Sequence, residues 1–136
     1  MNRRELTLYL QKIFQKYNLS KKHSQVCAQY LVKAELMNAK SHGVARLKMY
    51  CDRIKKRVIN PKPKIKIQKL TSSIYHINAD NSIGFVAADL GIQHVIKIAK
   101  KNGFGLVGIK KSGHYGLSSF YAEQAVKKNL IVFCFT

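Results

Sequence analysis

Two histidines stand in settings where a side chain can do chemistry. His42 lies in Ser41-His42-Gly43, and His114 lies in Ser112-Gly113-His114-Tyr115-Gly116, each among small residues at an element boundary. Glycine lets backbone and ligand approach closely. Binding and catalytic groups concentrate on loops, above all at the carboxyl ends of parallel strands. Imidazole exchanges a proton near neutral pH, which suits general acid–base work beside a reacting carbon. Arg46 follows His42 by four residues, so a helix beginning there would put both on one face. Its guanidinium can grip a carboxylate with two parallel hydrogen bonds, although a lone arginine can equally be a surface residue. Ser41 can orient the imidazole or bind a substrate oxygen. The other histidines, His23, His76 and His94, fall inside predicted helices or a strand and read as structural.

The elements that must position these groups follow from hydrophobic spacing. Leu6, Leu10, Ile13, Phe14 and Tyr17 share one face at a 3.6-residue period. Asn2 and Glu5 have the spacing of a capping box. Ser20 can cap a second helix burying Val26, Cys27, Tyr30, Leu31 and Ala34. A third helix after Ser41-His42-Gly43 has the buried stripe Leu47, Tyr50, Cys51, Ile54 and Val58. Asn60-Pro61-Lys62-Pro63 ends the helical region, because proline disfavours helical geometry in the residue before it.

Beyond that stop the period changes. Ile65 and Ile67 alternate with lysines, and Ile74 to Ile77 follow a Thr-Ser-Ser turn, which predicts a hairpin. A helix over 84–102 ends at Gly103, a good left-handed stop. Residues 104–109 read as a buried strand, 121–128 as a helix and 130–135 as another buried strand. Strand, crossover helix and strand make a right-handed parallel unit. The fold class is therefore α/β: a helical subdomain over 1–60, followed over 61–136 by a mixed sheet with crossover helices. A last strand without its neighbours leaves a sheet edge open, so the reading expects this to be the first part of a larger domain.

Composition narrows the classes. The chain has 136 residues and is 46% hydrophobic, which allows one modest core and argues against disorder. No apolar run reaches the ~20 residues of a membrane helix, and the start lacks the apolar centre of a signal peptide; a cytoplasmic, non-membrane protein is expected. Cys27, Cys51 and Cys134 are far apart in apolar patterns. They read as buried reduced thiols, with no disulfide framework or metal site. A formal charge of +19 could mark a small nucleic-acid-binding protein using Lys and Arg with Tyr and Phe for stacking. The basic residues are spread along the whole chain, however, and fit a solvated surface better. No paired-carboxylate signature, nucleophile elbow or Walker sequence occurs, and Gly103-Phe104-Gly105 is too short for a dinucleotide fingerprint.

The segment running from Ser41-His42-Gly43-Val44-Ala45-Arg46 to Tyr50 resembles the S-H-G-V-x-R-x-x-x-Y signature of the malate/L-lactate dehydrogenase family, the non-Rossmann type that includes ureidoglycolate dehydrogenase and 2,3-diketogulonate reductase. Ile59-Asn60-Pro61 is similar to that family's I-N-P stop, and Asp80-Asn81-Ser82-Ile83-Gly84 to its D-N-x-x-G turn. Ser112 to Gly116, followed by Tyr121-Ala122, resembles its N-S-x-H-F-G and Y-A motifs. Lys111 stands where that motif has Asn, Tyr115 where it has Phe, and Leu36 to Lys40 depart from its Leu-Arg-Gly. The resemblance implies hydride transfer between NAD(P)H, that is NAD or NADP, and a 2-keto or 2-hydroxy acid. By motif position it implies His42 and His114 as catalytic residues and Ser41 and Arg46 as substrate-binding residues. It further implies a homodimer, a larger non-Rossmann cofactor-binding fold, and cofactor contacts mostly beyond residue 136. The reading is thus the amino-terminal portion of such an oxidoreductase. An inactive truncated remnant of one is the alternative, with the nucleic-acid reading third.

Overall fold

The computed structural model describes residues 2–136. Helix α1, Arg3–Lys16, starts on the expected capping box: the Asn2 side chain accepts the Glu5 N–H at 2.9 Å, and the Glu5 carboxylate accepts the Asn2 N–H at 3.0 Å. Helix α2, Lys21–Leu36, is capped by Ser20, whose hydroxyl accepts the His23 N–H. Such caps satisfy N–H groups that a helix leaves unpaired, each typically worth about 1 kcal/mol. Two short 3-10 turns, Lys40–His42 and Val44–Arg46, precede helix α3, Leu47–Lys55.

The sheet has three strands in the order β1 (Lys66–Lys69), β2 (Ile74–Ser82), β3 (Leu106–Ser112). β1 and β2 form the expected antiparallel hairpin. β2 and β3 are parallel and are joined by helix α4, Gly84–Asn102, which stops on left-handed Gly103 with φ 78°. Helix α5 spans Ser119–Val126. The mixed sheet with a crossover helix agrees with the α/β reading.

A bulge interrupts the β2–β3 register between Asn78 and Ser82. Asp80 and Asn81 there take positive φ, 51° and 55°, which Asp and Asn tolerate better than most residues. The Asp80 carboxylate accepts from Asn60 Nδ2 at 3.0 Å and from the Lys64 N–H at 2.9 Å. The Asn60 N–H donates to the Asn81 carbonyl at 2.9 Å. The proline-bounded stop after α3 is thereby fastened to the turn that leads into α4.

One apolar core joins the helices to the sheet. Leu10 and Phe14 of α1, Cys27 and Leu31 of α2, Tyr50 and Ile54 of α3, Phe85 of α4 and Phe120 of α5 are all buried in it. Side chains of this size each contribute about 1.5–3 kcal/mol on full burial. Phe85 is central: its ring lies 5.6 Å from that of Tyr30 and 5.1 Å from that of Tyr50.

Several expectations are corrected. Residues 130–135 form no strand: Leu130 and Val132 pack against the core, while Ile131, Phe133 and Phe135 are exposed. A strand needs a hydrogen-bonded neighbour, and none pairs with this segment among the described residues. The parallel unit is β2–α4–β3 rather than one built on 104–109 and 130–135. β3 is not buried, since Leu106 and Ile109 are exposed; α4 covers only one face of the sheet and β3 is its edge. Val58 falls past the end of α3 and is exposed, and Cys134 is exposed whereas Cys27 and Cys51 are buried.

Candidate active site

Two loops build the candidate site. The first carries Ser41, His42 and Arg46. No single helix runs through it: Gly43 separates the two 3-10 turns with φ −88° and ψ −146°, so His42 and Arg46 do not share a helix face. They are joined by another contact. Arg46 Nε donates to the Ser41 carbonyl at 2.6 Å, folding the arginine back onto the histidine's turn.

Glu35, in the last turn of α2, holds this loop from beneath. Its carboxylate accepts the Val44 N–H at 3.1 Å and lies so close to Gly43 that a Cβ there would stand 1.9 Å from Oε2. A side chain at 43 would push the Glu35 carboxylate aside and break its hold on the Val44 N–H. Glu35 carries no motif-like signal in the sequence, and nothing local to it announces a role 9 residues further on.

The second loop follows the carboxyl end of β3, as expected for His114. The Gly113 N–H donates to the Ser82 carbonyl at 3.2 Å. The Tyr121 hydroxyl donates to the Tyr115 carbonyl at 2.5 Å. Gly116, at φ 83°, lies against Phe85, where a Cβ would be 2.6 Å from the ring. Tyr121, Phe85 and the start of α4 thus fix the path of the loop around His114.

The two loops meet. The rings of His42 and His114 lie 5.6 Å apart between centroids, tilted by 31°. Ser41 Oγ is 3.0 Å from His42 Nδ1, and Tyr50 Oη is 2.8 Å from His114 Nδ1. All four residues singled out in the sequence therefore belong to one cluster, and Tyr50 joins them. Tyr50 carries both the buried apolar pattern of α3 and the last position of the signature; its hydroxyl contact was not predicted.

The electrostatics are cationic. Partial burial is the main influence lowering the His114 pKa, with His42, Arg46 and Arg53 adding repulsion, so the imidazole is neutral at pH 7. No carboxylate pairs with Arg46 among the described residues. Its Nη1 makes only a weak contact with Met49 Sδ at 3.7 Å, which leaves its terminal nitrogens for an anion. Two imidazoles, a hydroxyl and a half-buried guanidinium can hold a carboxylate and exchange a proton with an adjacent oxygen.

The scaffold is α/β, and its clustered groups could transfer a proton beside a bound carboxylate. The family model described as malate/L-lactate dehydrogenase matches residues 1–136, and the chain belongs to that family. It is 36% identical over 113 residues to a ureidoglycolate dehydrogenase (NAD(+)) of Escherichia coli, covering 83% of this chain and 32% of the relative. It is 35% identical over 120 residues to a malate/(S)-sulfolactate dehydrogenase of Methanothermus fervidus, covering 88% and 35%. The solved malate dehydrogenase of Pyrococcus horikoshii superposes with a TM-score of 0.90 at 31% identity, covering 94% of this chain and 37% of that one. The chain spans about a third of the length of these relatives. No helix among the described residues is long and apolar enough to cross a membrane.

Proposed function

We propose that this chain contributes the substrate-binding and proton-transfer half of an oxidoreductase that moves a hydride between NAD or NADP and a 2-keto or 2-hydroxy acid. The observation that carries the reading is the meeting of His42 and His114, 72 positions apart in sequence, at a ring separation of 5.6 Å beside Ser41 and Arg46. The names of the relatives support it: one is a ureidoglycolate dehydrogenase (NAD(+)), and another a (2R)-3-sulfolactate dehydrogenase (NADP(+)).

In this reading Arg46 holds the substrate carboxylate with its terminal nitrogens, since its Nε is occupied by the Ser41 carbonyl. His42 and His114 face the keto oxygen, supplying its proton in reduction and accepting the hydroxyl proton in oxidation. Ser41 steadies the His42 ring. A nicotinamide cofactor, when bound, supplies or accepts the hydride.

The start of α4 is closed to a dinucleotide's pyrophosphate. The helix that follows a parallel strand, α4, would be the place for a pyrophosphate in a dinucleotide-binding fold. Its first residue, Gly84, is covered instead by the carbonyls of Gly113 and His114, 2.3 and 2.2 Å from where a Cβ would stand. Carbonyl oxygens at that end repel a phosphate. The proposal places the cofactor contacts elsewhere, with 1–60 as a helical unit and 61–136 as the first part of an α/β domain. A cytoplasmic homodimer completes the proposal.

The test is nicotinamide absorbance with purified protein and a panel of 2-keto acids. Turnover abolished by His42→Ala, with Arg46→Leu raising KM for the acid by roughly 30-fold for a lost charged hydrogen bond of about 2 kcal/mol, is the expected result. A His42→Ala protein of full activity would overturn it, and so would a wild-type protein that neither turns over nor binds any acid of the panel in titration calorimetry.

A further inference from the structure

The two histidines differ in what holds them. His42 Nδ1 meets the exposed hydroxyl of Ser41, a rotor that can donate or accept. His114 Nδ1 meets Tyr50 Oη at 2.8 Å, and Tyr50 is only 1% exposed. The phenol's ring is packed against Phe85, and its hydroxyl has no second hydrogen-bond partner among the described residues. If His114 carried its proton on Nδ1, the phenol could only accept, and its own O–H would be left unpaired in the core. A buried donor without a partner costs about 1–3 kcal/mol. Burial also pushes the Tyr50 phenol's pKa well up, so it keeps its proton to give.

We propose that Tyr50 is a positioning residue that fixes the proton of His114 on Nε2 through the hydrogen bond it donates to Nδ1. Neutral His114 then presents an N–H, the right group to meet a carbonyl oxygen. The substrate in this picture rests on the function proposed above; the state of the ring does not.

The test is imidazole nitrogen NMR of the 15N-labelled protein, followed through a pH titration. His114 is faced by Tyr50 and Arg53 from α3 and by His42 and Arg46 from the loop before it. In the wild type, neutral His114 is expected with Nδ1 unprotonated and Nε2 protonated. Tyr50→Phe removes only the hydroxyl. It should turn His114 into a mixture of tautomers and raise its pKa, because a bond favouring the neutral form is gone. Ile54→Val thins the core one turn along α3 without removing the hydroxyl and should leave the tautomer unchanged. An Nδ1–H tautomer in the wild type would overturn the proposal. So would a His114 tautomer and titration unchanged in folded Tyr50→Phe, or a tautomer shift of equal size in Ile54→Val. None of these readings needs turnover, so a failed dehydrogenase assay and a failed tautomer assignment are separate results.

Discussion

Single residues carry both the proposed chemistry and some strain. Lys111, just before the His114 loop, sits at φ 51°, a left-handed conformation that costs an ordinary L-residue about 1–2 kcal/mol and is easier for Asn. The resembling motif has Asn at that position, and the backbone shows why. Lys111→Asn should stabilise the protein by about 0.5–1 kcal/mol, read as a higher midpoint in urea unfolding with an unchanged slope. No gain, or a loss, would mean that the lysine side chain makes up for its backbone. His42, His114, Ser41 and Arg46 were legible from residue type and neighbours. Glu35 and the hydroxyl of Tyr50 were not, because their roles lie in contacts with backbone and ring atoms that the sequence does not place nearby.

At the scale of elements, helix ends and glycines decide how the loops meet. Gly84 opens α4 directly under the His114 loop, and any Cβ there would lie 2.2–2.4 Å from backbone atoms of Gly113 and His114. Backbone cannot rotate away as a flexible side chain can. Gly84→Ala should therefore destabilise by roughly 1–3 kcal/mol, the usual range for overpacking, and displace His114. Calorimetry measures the first effect and the His114 resonances the second; a native melting temperature with unmoved resonances would contradict the close approach. Helix periods, the caps at Asn2 and Ser20 and the stop at Gly103 were all visible in sequence, since each depends on residues within one or two turns. The expected helix through His42 and Arg46 was not found, because Glu35 reaches from α2 to bind the Val44 N–H and the chain folds as two short turns around Gly43.

For the whole molecule, charge and burial set the response to acid. The pKa values of His23 and His114 both lie below the ordinary 6.5, mainly through burial, with Lys22 adding to the effect at His23 and with His42, Arg46 and Arg53 adding to it at His114. Below pH 6.5 the unfolded chain binds protons at these positions before the folded one does, so stability rises with pH across that window and falls on acidification. Urea unfolding at pH 7 and pH 5.5 should show the loss. His23→Gln should diminish it; an equal loss in that variant would remove His23 from the account. The net charge of +19 adds self-repulsion as further groups protonate. On the outer strand β1, exposed Lys66 and Lys69 stud the sheet edge with charges that discourage pairing with other chains.

The sequence by itself determined the class of the fold, the order of most elements, the family and the identity of four candidate site residues. These properties are written in short-range patterns: a period, a cap, a turn residue, a motif. Only the tertiary structure decided that His42 and His114 meet, that Tyr50 and Glu35 hold them, that β2 rather than a later strand pairs with β3, and that residues 130–135 stay unpaired. Each of those depends on which distant surfaces pack together. An apolar alternating stretch looks the same in sequence whether or not a neighbouring strand offers its hydrogen bonds, and a histidine looks the same whether its ring faces solvent or a buried phenol.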